Sequence, residues 1–185
     1  MILLASKSPR RRELIKMLDI AFRVVELKDV EERYPDNLNP MKVPEYLSKL
    51  KATAYTPELK EDEILLTADT VVLLENEIIG KPASLEEAKQ MLNKLSGKTH
   101  KVVTGVTLST IKKSVTFSSV TDVRFANLSW EEINYYVDTY KPLDKAGAYG
   151  IQEWIGAVGI EAINGSFYNV MGLPIHQLYR RLLLF

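Results

Sequence analysis

Apolar and polar positions follow two different periods along this chain, and the change of period predicts its elements. Alternating apolar residues predict strands, whereas apolar residues spaced three or four apart predict helices. Strands are predicted at residues 2–5, 22–25, 64–74 with a short return at 78–79, 100–108, 115–125 and 155–163. Helices are predicted at residues 9–18, 44–55, 84–95, 129–140 and 174–184.

End signals support these helices. Ser8 is the expected N-cap of the first helix, because Pro9 suits the first helical position. Two segments, 84–87 and 129–132, have the Ser-x-x-Glu pattern of a capping box. Residues 26–40 and 144–150 are predicted loops, and residues 75–76 a turn. The order mixes strand-helix-strand units with a hairpin-rich middle, which indicates an α/β or α+β fold around a mixed, curved sheet flanked by helices.

Composition bounds the class of protein. The 185 residues include 24 Lys and Arg against 24 Asp and Glu, with 46% hydrophobic residues and no cysteine. This length predicts one domain, and the balance of charge without a continuous basic stripe argues against nucleic-acid binding. The absence of cysteine excludes disulfides, thiolate metal ligands and a cysteine nucleophile.

No apolar run approaches the ~20 residues that cross a bilayer. The apolar start is short and its basic residues follow it, unlike a secretory signal. It therefore predicts a buried first strand, and we expect a cytoplasmic protein that does not contact a membrane.

The segment 5–12, Ala-Ser-Lys-Ser-Pro-Arg-Arg-Arg, places three arginines at the predicted start of a helix. Each is unfavourable there by ~0.3–1 kcal/mol, because the helix dipole is positive at its N-terminus. A docked anion reverses that sign, and backbone N–H groups, serine hydroxyls and arginines all donate to phosphate. The segment therefore predicts either a phosphate site or a solvated basic turn.

Asp69 interrupts the long apolar strand predicted at residues 64–74. By period two it shares a face with Leu65, Val71 and Leu73. A carboxylate in such a place is costly unless it is paired, binds a metal or lies at the open end of the sheet. Asp69 is thus a candidate general base or metal ligand, with a structural turn cap as the alternative.

Other charges lie near turns and on one helix. Taken singly, each is expected to be a solvated charge: Glu31, Glu32, Lys51, Lys81, Asp144 and Lys145. Two histidines without cysteine argue against a zinc site, and no local pattern indicates a Ser-His-Asp triad. Carboxylates and lysines remain, and they favour metal-assisted chemistry on a phosphate ester or anhydride.

Two glycine-rich segments, 144–152 and 164–174, either bring backbone close to a ligand or form tight turns at strand ends. Together with the segments above they resemble the Maf family of nucleoside triphosphate pyrophosphatases. The matching motifs, in the family's order, are Ala5-Ser-x-Ser-Pro-Arg-Arg11, Ala68-Asp-Thr70, Gly80-Lys-Pro82, Leu95-Ser-Gly97, Asp144-Lys-Ala-Gly-Ala-Tyr-Gly-Ile-Gln152 and Gly165-Ser-x-x-Asn-Val-x-Gly-Leu-Pro174.

The resemblance implies a single domain over residues 1–185, with an α/β fold similar to inosine triphosphate pyrophosphatases and a cleft between two lobes. It implies cleavage between the α- and β-phosphates of a nucleoside triphosphate. Asp69 matches the family's proton acceptor. Glu32 and Asp69 would hold a divalent cation, Mg²⁺ or Mn²⁺. The residues expected along the phosphates are Ser6, Arg11, Lys51 and Lys81, and the two lysines are expected to take part in catalysis.

Three positions that distinguish the family's subgroups are matched by Arg10, Thr70 and Gln152. They resemble the subgroup that acts on dTTP and UTP, with CTP or modified pyrimidines as further candidates, in a house-cleaning role. Gln152 can donate to a uracil carbonyl and accept from N3–H. The alternatives are a pyrophosphatase for 7-methyl-GTP or non-standard purine triphosphates, or a nucleotide-binding regulator of septum formation.

The resemblance also implies a homodimer. Three aromatic residues, Trp130, Tyr135 and Trp154, are candidates either for an interface or for the core.

Overall fold

The structure, a computed structural model, describes residues 1–26 and 28–185. The strands within these ranges are β1 (Ile2–Leu4), β2 (Phe22–Val24), β3 (Ile64–Leu74), β4 (Glu77–Ile79), β5 (Thr99–Ser109), β6 (Ser114–Phe125) and β7 (Ile160–Asn164). The α-helices are α1 (Pro9–Lys16), α2 (Val43–Tyr55), α3 (Leu85–Leu95), α4 (Trp130–Tyr140), α5 (Trp154–Val158), α6 (Phe167–Met171) and α7 (Ile175–Leu182). Short 3₁₀ turns lie at Pro40–Lys42, Thr56–Glu58 and Ala146–Ala148.

The strands form one mixed sheet in the order β2-β1-β3-β5-β6-β7, with β4 paired to β3. Strand β1 runs parallel to both neighbours, and Ile2 faces Phe22 on one side and Ile64 on the other. Strands β4 and β7 are antiparallel to β3 and β6. The predicted α/β fold with a mixed sheet and flanking helices is therefore confirmed, as is the predicted pairing of β5 with β6.

The helix ends follow the sequence signals with one difference. Helix α1 begins at Pro9, and the Ser8 side chain accepts from the backbone N–H of Arg11 at 3.4 Å. Helix α4 has a complete capping box between Ser129 and Glu132. At α3 the box is only half formed, because the Glu87 carboxylate accepts from the N–H of Ala83 rather than from that of the N-cap.

The predicted turn between β3 and β4 is formed by two residues with positive φ, Glu75 at 50° and Asn76 at 70°. Two left-handed residues match the twist of a two-residue hairpin, which explains why an asparagine is tolerated there. Loop residues 26 and 28–39 carry no helix or strand, as predicted, while Leu27 lies outside the described residues.

The predicted strand at residues 155–163 is wrong over its first half. Helix α5 occupies Trp154–Val158, and only Ile160–Asn164 forms a strand. Gly156 lies directly against the carbonyl of Ile151, where a Cβ would overlap it, and the Ile155 side chain is fully buried. A short apolar run does not distinguish a strand from one buried helical turn, so here packing decided.

The chain divides into two compact units. The first unit consists of Met1–Thr70, Thr104–Ser119 and Gly172–Phe185, and the second of Val71–Val103 and Val120–Met171. The first has a core cluster of Leu3, Ala5, Ala52, Tyr55 and Leu65. The second has a larger cluster to which β5, β6, α3, α4 and α5 all contribute. The single domain and the cleft expected from the sequence stay predictions.

No helix within the described ranges is long and apolar enough to cross a membrane.

Candidate functional site

Strand β3 directs Asp69 towards helix α2. Leu65 packs in the cluster that includes Ala52, and the Thr67 hydroxyl donates to the Ser48 carbonyl at 2.7 Å. Asp69 Oδ1 then accepts from Lys51 Nζ at 2.7 Å. Because alternate strand residues share one face, these three contacts with α2 support the prediction that Asp69 and Leu65 lie on the same side.

Lys51 joins two carboxylates that are far apart in sequence. Its Nζ lies 2.7 Å from Asp69 Oδ1 and 3.0 Å from Glu32 Oε2. The side chains of Lys51 and Asp69 are only 17% and 14% exposed, whereas that of Glu32 is 50% exposed. The expectation that Lys51 is a solvated charge is therefore wrong. The Glu32 pair is weak by comparison, since exposed pairs contribute about 0–1 kcal/mol.

Helix α2 lies close to the sheet because small and hydroxyl side chains form the contact. Ser48 Oγ bonds to Thr107 Oγ1 at 2.9 Å, and Thr107 Oγ1 bonds to Thr116 Oγ1 at 2.9 Å. Gly105 lies against the backbone at Pro44, where a Cβ would overlap it. This close approach places Lys51 within reach of β3.

The Arg11 side chain folds back onto the protein. Its Nε and Nη1 donate to the carbonyls of Gly172 and Ala68, both at 2.8 Å, and Nη2 donates to Thr70 Oγ1 at 3.0 Å. Thr70 Oγ1 also bonds to Thr104 Oγ1 at 2.9 Å. Gly172 has a φ of 116°, which favours glycine, and so brings its carbonyl to Arg11. Three of the five guanidinium donors are thus engaged.

Burial lowers the pKa of Arg11 from its usual value, while Asp69 and Glu32 act in the opposite direction and Arg10 adds to the lowering. These couplings put Arg10, Arg11, Glu32 and Asp69 in one electrostatic environment with Lys51. Arg11 and Lys51 therefore lie beside the two carboxylates, and both side chains carry N–H groups that can donate to an anionic ligand.

Of the remaining predicted residues, Ser6 is buried at the end of β1, and its Oγ accepts from the Ser8 N–H at 3.2 Å. Lys81 and Gln152 belong to the second unit and are exposed. Within the first unit the structure brings together six of the predicted residues, Arg10, Arg11, Glu32, Lys51, Asp69 and Thr70.

Glu32 and Asp69 are the candidate metal ligands. The described residues contain no group of three or more His, Cys, Asp or Glu side chains suited to a metal ion. Mg²⁺, however, is usually held by one or two carboxylates together with waters and substrate phosphates. The Lys51 ammonium already binds a carboxylate oxygen of each residue, so the pair can face one shared cation. Two carboxylates therefore fit a cation that is completed by substrate.

A second charged group, in the second unit, was missed by sequence reasoning. Lys145 Nζ lies 2.7 Å from Asp144 Oδ1 and 3.1 Å from Glu153 Oε1, and its side chain is 9% exposed. The expectation that Lys145 is solvated is therefore wrong. The Tyr136 hydroxyl also donates to Glu153. The charged residues Asp144, Lys145 and Glu153 were visible in the sequence, but no local pattern indicated that Lys145 is buried.

The aromatic residues considered for an interface differ in exposure. Trp130 and Tyr135 are each 51% exposed, and Trp154 is half-buried, with its ring 4.9 Å from that of Tyr135.

A family model described as "Maf-like protein" matches residues 1–185, the full length of the chain. The chain belongs to the Maf family. The resemblance noted from the sequence is thus confirmed.

Two relatives of this Maf protein illustrate the similarity. A protein of Parabacteroides distasonis, 56% identical over 181 residues, is named dTTP/UTP pyrophosphatase, as is one of Phocaeicola vulgatus at 53% identity. Each alignment covers 98% of this chain and 94% of the relative. The relatives are therefore matched along nearly their whole length.

Two solved structures resemble the fold. A HAM1 protein from Coxiella burnetii aligns with a TM-score of 0.50 at 16% identity, over 100% of this chain and 98% of that one. The Staphylococcus aureus Ham1 protein aligns with a TM-score of 0.50 at 20% identity, over 68% and 72%. At such identities the likeness confirms the predicted fold and nothing more.

Proposed function

We propose that this Maf protein hydrolyses dTTP and UTP between the α- and β-phosphates and releases a monophosphate and pyrophosphate, as a house-cleaning enzyme. The names of relatives at 50–56% identity support this activity. The observation in the structure that carries the proposal is the Asp69–Lys51–Glu32 group, a shielded carboxylate and lysine beside Arg11.

Asp69 is the proposed proton acceptor. Its carboxylate takes the proton of the attacking water, as a general base does when it lies within hydrogen-bond reach. Lys51 already donates to this carboxylate and so holds it in place, and its charge favours the anionic transition state. Lys81 is the second proposed catalytic lysine; its exposed side chain is accessible to a phosphate.

Ser6 and Arg11 are proposed to bind the phosphates. Arg11 retains two guanidinium N–H groups beyond those given to Gly172, Ala68 and Thr70. These three acceptors therefore orient the guanidinium group, and its two remaining N–H groups can donate to an anion.

Glu32 and Asp69 are proposed to hold a divalent cation, Mg²⁺ or Mn²⁺. Such an ion neutralises phosphate charge and lowers the pKa of bound water when it is present. Glu32 is half exposed, which leaves its second oxygen available, and Lys51 keeps the two carboxylates oriented without the ion.

Arg10, Thr70 and Gln152 are the proposed determinants of base preference. Gln152 is exposed on a turn, where its amide can pair with the uracil edge. Thr70 is proposed to influence base preference by orienting Arg11, because the Thr70 hydroxyl accepts a hydrogen bond from Arg11 Nη2. Gln152→Glu is expected to shift preference towards guanine-type bases, whose N1–H and N2 amine suit a carboxylate. An unchanged preference would argue against the contact.

The test is a hydrolysis panel with Mg²⁺ or Mn²⁺ that follows pyrophosphate release from dTTP, UTP, CTP, 7-methyl-GTP and ITP. Asp69→Asn is expected to lower kcat by about 100-fold or more, because it removes the general base. Asp122→Asn is the matched control, since Asp122 is also a strand aspartate paired with a lysine, at 2.6 Å from Lys101. It is expected to keep wild-type activity.

Three outcomes would correct the proposal. Preferred hydrolysis of purine triphosphates would refute the assigned substrates, while the proposed cleavage reaction would still stand. Full activity in folded Asp69→Asn would refute the assigned base. Binding of dTTP without turnover would refute the enzyme and favour a nucleotide-binding regulator.

The single catalytic domain, the homodimer and the cytoplasmic location stay predictions. Sedimentation of the purified protein tests the dimer.

A further inference from the structure

Gln152 lies in a tight turn whose other residues are held in place. The Glu153 N–H donates to the Gly150 carbonyl at 3.0 Å and closes the turn. Gly150 and Ile151 are buried, and Glu153 is half-buried at the N-cap position of helix α5, where its side chain makes no capping hydrogen bond. Gln152 is therefore the exposed residue of an otherwise packed turn.

A single hydroxyl contacts both ends of this turn. Tyr136, on α4, accepts from the Gly150 N–H at 3.0 Å and donates to Glu153 Oε2. The Tyr136 side chain is fully buried, and burial, reinforced by Glu153, raises the pKa of its hydroxyl. The hydroxyl consequently stays protonated and can donate to a carboxylate at any physiological pH.

Lys145 holds the other oxygen of the same carboxylate. Its Nζ lies 3.1 Å from Glu153 Oε1 and 2.7 Å from Asp144 Oδ1. A carboxylate that is largely shielded is stable only when its oxygens are satisfied, and here a cation and a phenol satisfy them. Both side chains lie close to the backbone of Gly150, since a Cβ there would lie 2.9 Å from Glu153 Cδ and 3.1 Å from Lys145 Cε.

We propose that Tyr136 is a positioning residue for base selectivity, because its hydroxyl fixes the turn that presents Gln152. The inference rests on the proposed function, in which Gln152 contacts the base. Glu153 and Lys145 hold the same turn, because Glu153 accepts from the Tyr136 hydroxyl and pairs with Lys145.

The hydroxyl is separable from the packing of the ring. Ile133 and Val137 bury the same face of α4, and the Tyr136 ring stacks on Tyr140 at 5.1 Å between centroids. Tyr136→Phe keeps these contacts and removes only the two hydrogen bonds to the turn. If Tyr136 had only a structural role, Tyr136→Phe would lower the stability of the protein and leave its base selectivity unchanged.

The test measures kcat/KM for UTP and for 7-methyl-GTP in wild type, Tyr136→Phe, Gln152→Ala and the double variant. The selectivity ratio is expected to be about 3- to 10-fold lower in Tyr136→Phe, because a turn without these two hydrogen bonds presents the Gln152 amide less well to the uracil edge. In the Gln152→Ala background the same change is expected to have little further effect, because residues that act through one another are not additive.

Tyr149→Phe is the matched control. Its buried hydroxyl bonds to His100 Nε2 at 2.7 Å and does not contact the turn, so the selectivity ratio is expected to stay at the wild-type value. If Tyr136→Phe does not fold, Glu153→Gln serves in its place, since it weakens the link to Lys145 and is expected to lower the ratio in the same direction.

An unchanged ratio in active Tyr136→Phe, or an equal loss in the Gln152→Ala background, overturns the inference alone. Wild-type protein that hydrolyses neither dTTP nor UTP overturns the proposed function together with the inference.

Discussion

His100 provides a test of how strongly the second unit excludes a charge. Its side chain is 1% exposed, with Nε2 bonded to the Tyr149 hydroxyl at 2.7 Å and the ring edge-on to Phe125. Nδ1 finds no hydrogen-bond partner among the described residues. Burial therefore lowers the pKa of His100 from 6.5 to about 4, although Asp122 acts in the opposite direction.

The sign follows from proton binding. Between the two pKa values the unfolded chain binds a proton at His100 and the folded protein does not, so the free energy of unfolding falls as pH is lowered. Stability from this group is complete above about pH 6.5 and is lost as pH falls towards about 4. The expected loss between about pH 7.5 and about pH 5 is about 2 kcal/mol.

Urea denaturation of wild type and His100→Gln across this range measures the effect. The glutamine amide can replace Nε2 in the bond to Tyr149 and does not titrate, so the difference in stability between the two proteins is expected to shrink by about 2 kcal/mol at low pH. His176→Gln is the control, because His176 is exposed on α7. If the free energies of unfolding of wild type and His100→Gln changed in parallel with pH, the lowered pKa of His100 would be refuted.

Three further substitutions test other features. Gly105→Ala is expected to lower stability by about 2 kcal/mol or more in thermal denaturation, because its Cβ would overlap the backbone at Pro44; wild-type stability would refute the close approach. Ser129→Ala is expected to cost about 1 kcal/mol by urea denaturation, since it removes a complete capping box. Lys51→Met is expected to lower kcat for UTP by about 100-fold, whereas the exposed Lys49→Met on the same helix should not.

Much of the fold was predictable because its signals are local. The apolar run of β3, the proline after Ser8 and the Ser-x-x-Glu pattern at Ser129 each predict an element from adjacent residues. The strand prediction failed at α5 because that helix depends on contacts between distant residues rather than on a local signal. Its single turn depends on the burial of Ile155 and on contact between Gly156 and a carbonyl, which are tertiary facts.

For the candidate site, the sequence by itself determined the kinds of side chain, the family and the unusual position of Asp69 within an apolar strand. Only the tertiary structure decided that Lys51 joins Asp69 to Glu32, that Arg11 donates inward, and that Lys145 is buried. The physical reason is that the environment of a charge depends on which distant segments exclude water from it. Periodicity places a side chain on a face, but long-range packing decides whether that face meets solvent or an opposite charge.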